Sequence, residues 1–220
     1  MINLQSNQHA FVAGRTQEGK TTFIRSFINK YPRVVVHDRK HEWAPFAQRN
    51  HYYIVNTPDQ LSNLLLKGAK RIVYQPTSPR IDDFDEVCHI IYDLGNITFV
   101  IDEASSYCAI GKVPYHCSEL FRLGSGRGIG VISLTQRPRK VDNELLSEST
   151  IIVSFRLMLD TDRAKIAETC GKIVNPALPE DPEDAKHIRS IATMPKYHFM
   201  VFDSVTARVS WHPPIPVRTE

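Results

Sequence analysis

The residues best suited to chemistry stand near the start of the chain. Gly14-Arg15-Thr16-Gln17-Glu18-Gly19-Lys20-Thr21, followed by Thr22, fits the spacing G-x-x-x-x-G-K-[ST]. A loop of this kind wraps an anion with several backbone N–H groups pointing inward. Gly14 and Gly19 allow a close approach that a Cβ would block. A helix beginning near Lys20 would aim the positive end of its dipole at the same anion. Residues 14–22 are therefore read as a cradle for the phosphates of a nucleotide. Lys20 would reach the β- and γ-phosphates, and the Thr21 hydroxyl would bind Mg²⁺.

Two further pieces could act on what the loop holds. Phe99-Val100-Ile101-Asp102-Glu103 is an apolar strand ending in two carboxylates. Strand ends of that kind lie at the carboxyl edge of an open α/β sheet, where ligands bind. Asp102 would complete the Mg²⁺ shell, and Glu103 would orient an attacking water. Surface acids at a strand end mean little alone; behind a phosphate loop they gain a task. The third piece is Thr135-Gln136-Arg137-Pro138, closing another apolar run. The Gln136 amide can donate and accept, so it could sense the γ-phosphate or its water.

These residues need a scaffold, and the hydrophobic pattern supplies one. Short apolar runs alternate with amphipathic stretches, which predicts an α/β sheet, mostly parallel, with helices on both faces. Strands are expected at 9–13, 34–38, 52–55, 71–74, 97–101, 129–134 and 151–155. Helices are expected at 20–29, 58–67, 82–94, 118–123, 141–147 and 162–170. The acidic, Pro-rich stretch 175–183 reads as a loop, and 197–202 with 208–211 as a closing antiparallel hairpin. The whole of 1–220 is expected to form one domain, with a core at about 9–155 and a C-terminal extension at 156–220.

Composition excludes several other classes. With 42% hydrophobic and 23% charged residues, a packed core is expected and extended disorder is not. The net charge of +3 rules out a strongly basic coat but not a local basic channel. Cys88, Cys108, Cys117 and Cys170 show neither C-x-x-C spacing nor disulfide-scaffold density, and the histidines are not at metal-ligand spacing. Residues 1–9 lack the pattern of a signal peptide, and no apolar run reaches the ~20 residues of a membrane helix.

Together, the Gly-Lys-Thr loop, the Asp-Glu-Ala strand end and the Gly128-Ile129-Gly130 run into Thr-Gln-Arg-Pro resemble the FtsK–HerA superfamily of DNA-pumping ATPases. Val36 to Glu42 looks like that family's second strand and its acidic loop. A bare motor of this size is similar to the genome-packaging ATPases of tailless icosahedral viruses with an internal membrane. The resemblance implies a RecA-like core, a ring that is usually a hexamer, double-stranded DNA as partner, and a capsid or membrane-vertex protein nearby. It places the motor in the host cytoplasm or at the packaging vertex, without a transmembrane segment. It also implies an arginine finger acting between subunits. The family often carries that Arg at the position of Ser125, so Arg127 becomes the first candidate and Arg122 the second. An export ATPase that moves protein would share every nucleotide motif. A small-molecule kinase would share the loop but would gain little from Glu103.

Overall fold

β1 (Ala10–Ala13), β2 (Val34–Asp38), β5 (Thr98–Asp102), β6 (Gly130–Thr135) and β7 (Ile151–Ser154) are buried along their whole length. Continuous burial of that kind belongs to strands covered on both faces. With β3 (Tyr53–Val55), β4 (Arg71–Tyr74), β8 (Phe199–Asp203) and β9 (Arg208–His212) they make one nine-stranded sheet, ordered β3-β4-β2-β5-β6-β1-β7-β8-β9. The first seven strands run parallel, and β8 and β9 add an antiparallel edge. A computed structural model describes residues 4–170 and 189–216 of the chain. The stretch 175–183, expected to be a loop, lies outside the described residues.

Successive residues of a strand face opposite ways, and the core divides accordingly. Phe11, Phe99, Ile101 and Val131 join one buried cluster with α3 (Pro58–Leu66), α4 (Ile81–Leu94) and α5 (Tyr115–Leu123). Val12, Val100 and Ile132 join the other, with α1 (Lys20–Arg25) and α2 (Ala44–Arg49).

Several boundaries differ from expectation for local reasons. α1 stops at Arg25 because Ser26 turns its hydroxyl onto the Phe23 carbonyl, 2.7 Å away, and a 3-10 turn at Ile28–Lys30 follows. α2 was not expected: it has six residues with a Pro in its first turn, too few for a helical period to show. α6 (Asn143–Ser147) begins after Val141 because the Asp142 side chain accepts from Glu144 N–H as its N-cap. α7 (Asp160–Thr169) and the β8–β9 hairpin lie within two residues of the expected ranges.

The three strands that carry chemistry, β1, β5 and β6, release it at one edge. The parallel register aligns Ala13 with Thr135, and Asp102 with Leu134. The 14–22 loop, the Asp-Glu pair and Gln136 therefore leave the same carboxyl edge. β6 lies between β1 and β5. Two strand spacings, about 10 Å, separate the phosphate loop from the carboxylates.

Candidate active site

The loop is shaped by two close approaches. Gly19 has φ 110°, in the left-handed region that costs other residues about 1 kcal/mol. A Cβ on Gly14 would stand 2.6 Å from the Phe155 Cβ. The Lys20 ammonium lies inside the loop, 2.6 Å from the Gly14 carbonyl and 3.0 Å from that of Arg15. Burial pushes its pKa down to about 8, against the pull of Glu103 and Asp102. A buried cation with only carbonyls for close partners fits an incoming phosphate, which would restore its favourable field. Thr21 is half-buried beside it, and Arg15, Thr16, Gln17 and Thr22 are exposed. The Glu18 carboxylate is buried and turned to Arg156, at 2.6 Å, so it braces the loop against the segment after β7.

At the end of β5 the two carboxylates are set differently. Asp102 is buried, and Trp43 donates its indole N–H to Oδ2 at 2.8 Å. Burial raises its pKa in spite of that bond and of the Lys40 charge. Asp102 and the half-buried Thr21 are the residues that would hold a cation here. Asp38, beside Asp102 in register, accepts from the N–H groups of Glu42 and Trp43 and from Gln75. That carboxylate fixes the loop carrying Trp43.

Glu103 adopts φ 83° and ψ 64°, an uncommon left-handed conformation for a side chain of its size. Lys40 Nζ lies 2.8 Å from its Oε2, and Ser105 Oγ 2.7 Å from its Oε1. Burial alone would raise the carboxyl pKa, but the hydrogen bonds of Lys40 and Ser105, the Lys40 charge and the Gln136 N–H hold it below its ordinary value. Gln136 links the two halves of the site. Its Nε2 donates to Glu103 at 3.0 Å, and its Oε1 accepts from Thr16 of the loop at 2.6 Å.

Arg127 lies elsewhere. It precedes β6, so it sits at the opposite edge of the sheet, where its guanidinium donates to the Tyr92 and Asp93 carbonyls and covers the Tyr92 ring. Arg122 pairs with Glu144.

A cleft of about 270 Å³ opens beside the loop, lined by Gly19, Thr22, Phe23, Phe155, Tyr197, Pro214 and Ile215. The sequence did not announce it because its walls come from four distant stretches. The signal for Lys40 and Trp43 was present, in the acidic loop after β2, but no spacing rule ties Lys40 to Glu103 or Trp43 to Asp102.

No protein-family model matches the sequence, and no curated protein sequence does. Solved structures do match. The genome packaging NTPase B204 from Sulfolobus turreted icosahedral virus 2, in complex with ATP-gammaS, gives a TM-score of 0.77 at 17% identity, over 97% of this chain and 100% of that one. B204, the DNA-packaging ATPase from Sulfolobus Turreted Icosahedral Virus, gives 0.71 at 18% identity, over 97% and 100%. The bacterial conjugative coupling protein TrwB gives 0.67 at 11% identity, over 96% and 85%. The likeness is one of fold, and it agrees with the α/β architecture expected from the motifs.

Proposed function

We propose that the chain is an ATP-hydrolysing motor that works as a ring and drives double-stranded DNA, the most direct use being to pack a viral genome into a capsid. All of 1–220 is taken as one ATPase domain. The observation that carries the ATPase reading is the gap at the carboxyl edge. Lys20 stands on the loop side and Glu103 on the other, and Gln136 joins Thr16 of the loop to Glu103 with hydrogen bonds of 2.6 and 3.0 Å. That gap suits a terminal phosphate and the water that attacks it.

Each residue then has a task. Lys20 and the loop N–H groups hold the β- and γ-phosphates. Thr21 and Asp102 would hold Mg²⁺, which would supply neutralisation of phosphate charge. Glu103 orients the water, and Gln136 reports on the terminal phosphate. The apolar cleft takes the base, with Phe155 and Tyr197 as walls. Arg127 fastens α4 within its own chain. It would act as a finger on a neighbouring subunit only by giving up those bonds. The DNA reading rests on the full-length fold likeness to a DNA-packaging ATPase. Such a motor would work in the host cytoplasm or at the packaging vertex.

Two variants test the chemistry. Lys20→Ala should weaken nucleotide binding and abolish hydrolysis. Glu103→Gln should bind ATP and retain it, with turnover reduced by roughly 10²-fold or more. Wild-type turnover in Glu103→Gln would remove Glu103 from its role. Activity with and without double-stranded DNA tests the motor: stimulation by DNA separates it from a protein-export ATPase and from a kinase.

A further inference from the structure

Glu103 cannot orient water as it stands. Its Oε2 accepts from Lys40 Nζ at 2.8 Å and from Gln136 Nε2 at 3.0 Å. Its Oε1 accepts from Ser105 Oγ at 2.7 Å, and from Thr135 Oγ1 and Gln136 N–H at 3.4 Å each. A carboxylate has about four lone-pair sites, so both oxygens are committed. One donor must leave before water can be held.

The geometry points to Lys40. Ser105 is two residues away and bound locally. Gln136 is tethered at its other end by Thr16. Lys40 is on a half-exposed, flexible side chain and is the one charged donor in the set. It also lies within electrostatic reach of Lys20: each sits near Glu103, and the Lys40 charge disfavours a charged Lys20. Two ammonium groups thus border the gap where a terminal phosphate would sit.

We propose that Lys40 is a further catalytic residue of this site, whose ammonium leaves Glu103 for the γ-phosphate of a bound nucleoside triphosphate and so frees Oε2 for the attacking water. A diphosphate cannot draw Lys40 away, so the exchange makes the water-orienting carboxylate available only when there is something to hydrolyse. The inference rests on the reading of this site as an ATP site.

The test compares affinities for a non-hydrolysable ATP analogue and for ADP, each with Mg²⁺, in wild type, Lys40→Met, Lys40→Arg and Lys20→Ala. Lys40→Met should lose about tenfold in analogue affinity, while ADP stays within about twofold. Lys40→Arg should keep most of the preference, since a long cation remains. A merely structural role for Lys40 would lower both affinities together or neither, and either result overturns the proposal. Failure of the underlying reading looks different: wild type would bind neither nucleotide, or Lys20→Ala would bind both as wild type does.

Discussion

Glu18 shows how a residue in a binding loop can serve the loop and not the ligand. Its carboxylate is buried, Oε1 takes two bonds from Arg156, and Oε2 has no hydrogen-bond partner among the described residues. Removing Arg156 would leave a buried charge without its counter-ion, and that is the costly half of such a pair. Arg156 is partly exposed, so water would soften the loss. Arg156→Met is expected to cost about 2 kcal/mol in urea unfolding. Adding Glu18→Gln should recover at least half of it, because the orphaned charge goes too. No recovery in the double variant would mean that the pair does not hold the loop. The G-x-x-x-x-G-K-[ST] spacing placed Lys20 and the glycines without help from the fold. It was silent on Glu18, whose direction depends on a partner 138 residues away.

At the scale of elements, the buried histidine at the mouth of β1 links packing to pH. His9 Nδ1 accepts the Val131 N–H at 2.9 Å, so the ring joins the start of β1 to β6 as a neutral acceptor. Burial pushes its pKa down from 6.5 to about 4, partly opposed by a bond to the Phe121 backbone. The unfolded chain therefore takes up a proton below pH 6.5 that the folded chain refuses until about pH 4. Stability should fall as pH drops through that window, by about 3 kcal/mol in full. His9→Asn keeps an acceptor near Nδ1 but cannot titrate. Its urea midpoint should depend less on pH between those limits, with slope remaining from His37 and His212, both also lowered by burial. An unchanged slope would clear His9.

The elements themselves were largely legible, because central strands covered on both faces read as unbroken apolar runs. Strand order was not. Nothing local says that β6 inserts between β1 and β5, yet that insertion opens the gap between Lys20 and Glu103. The apolar cleft beside the loop was hidden for the same reason. Tyr197 meets Gly19 only after the chain has returned to β8, and its own φ of 66° is a cost no pattern announces.

On the scale of the whole molecule, the question is where a chain of net charge +3 could grip a polyanion. The structure divides the basic residues after Gln136. Arg137 is committed to the buried carboxylate of Asp162 at 2.9 Å. Arg139 and Lys140 are exposed, with no side-chain ion pair among the described residues. A bridge between Ala109 and Val141 joins this turn to the loop after β5, where Lys112 is also exposed. Both loops leave the carboxyl edge of the sheet, on the same side as the phosphate loop, so three cations gather near the site that would power them. A ring would bring every copy of this patch together and concentrate a charge that is thin on one subunit. Contacts of this kind are to phosphate, without sequence preference, and binding should weaken steeply with salt as counterions are displaced. Reversing both charges in Arg139→Glu/Lys140→Glu should therefore reduce DNA stimulation of the ATPase and flatten its salt dependence. Basal hydrolysis should stay near wild type, since Lys20, Asp102 and Glu103 are untouched. Stimulation that survives the double reversal would move the DNA path to another surface. If an assembled, ATP-bound ring fails to bind DNA even at low salt, the translocase reading falls and a protein-moving ATPase takes its place.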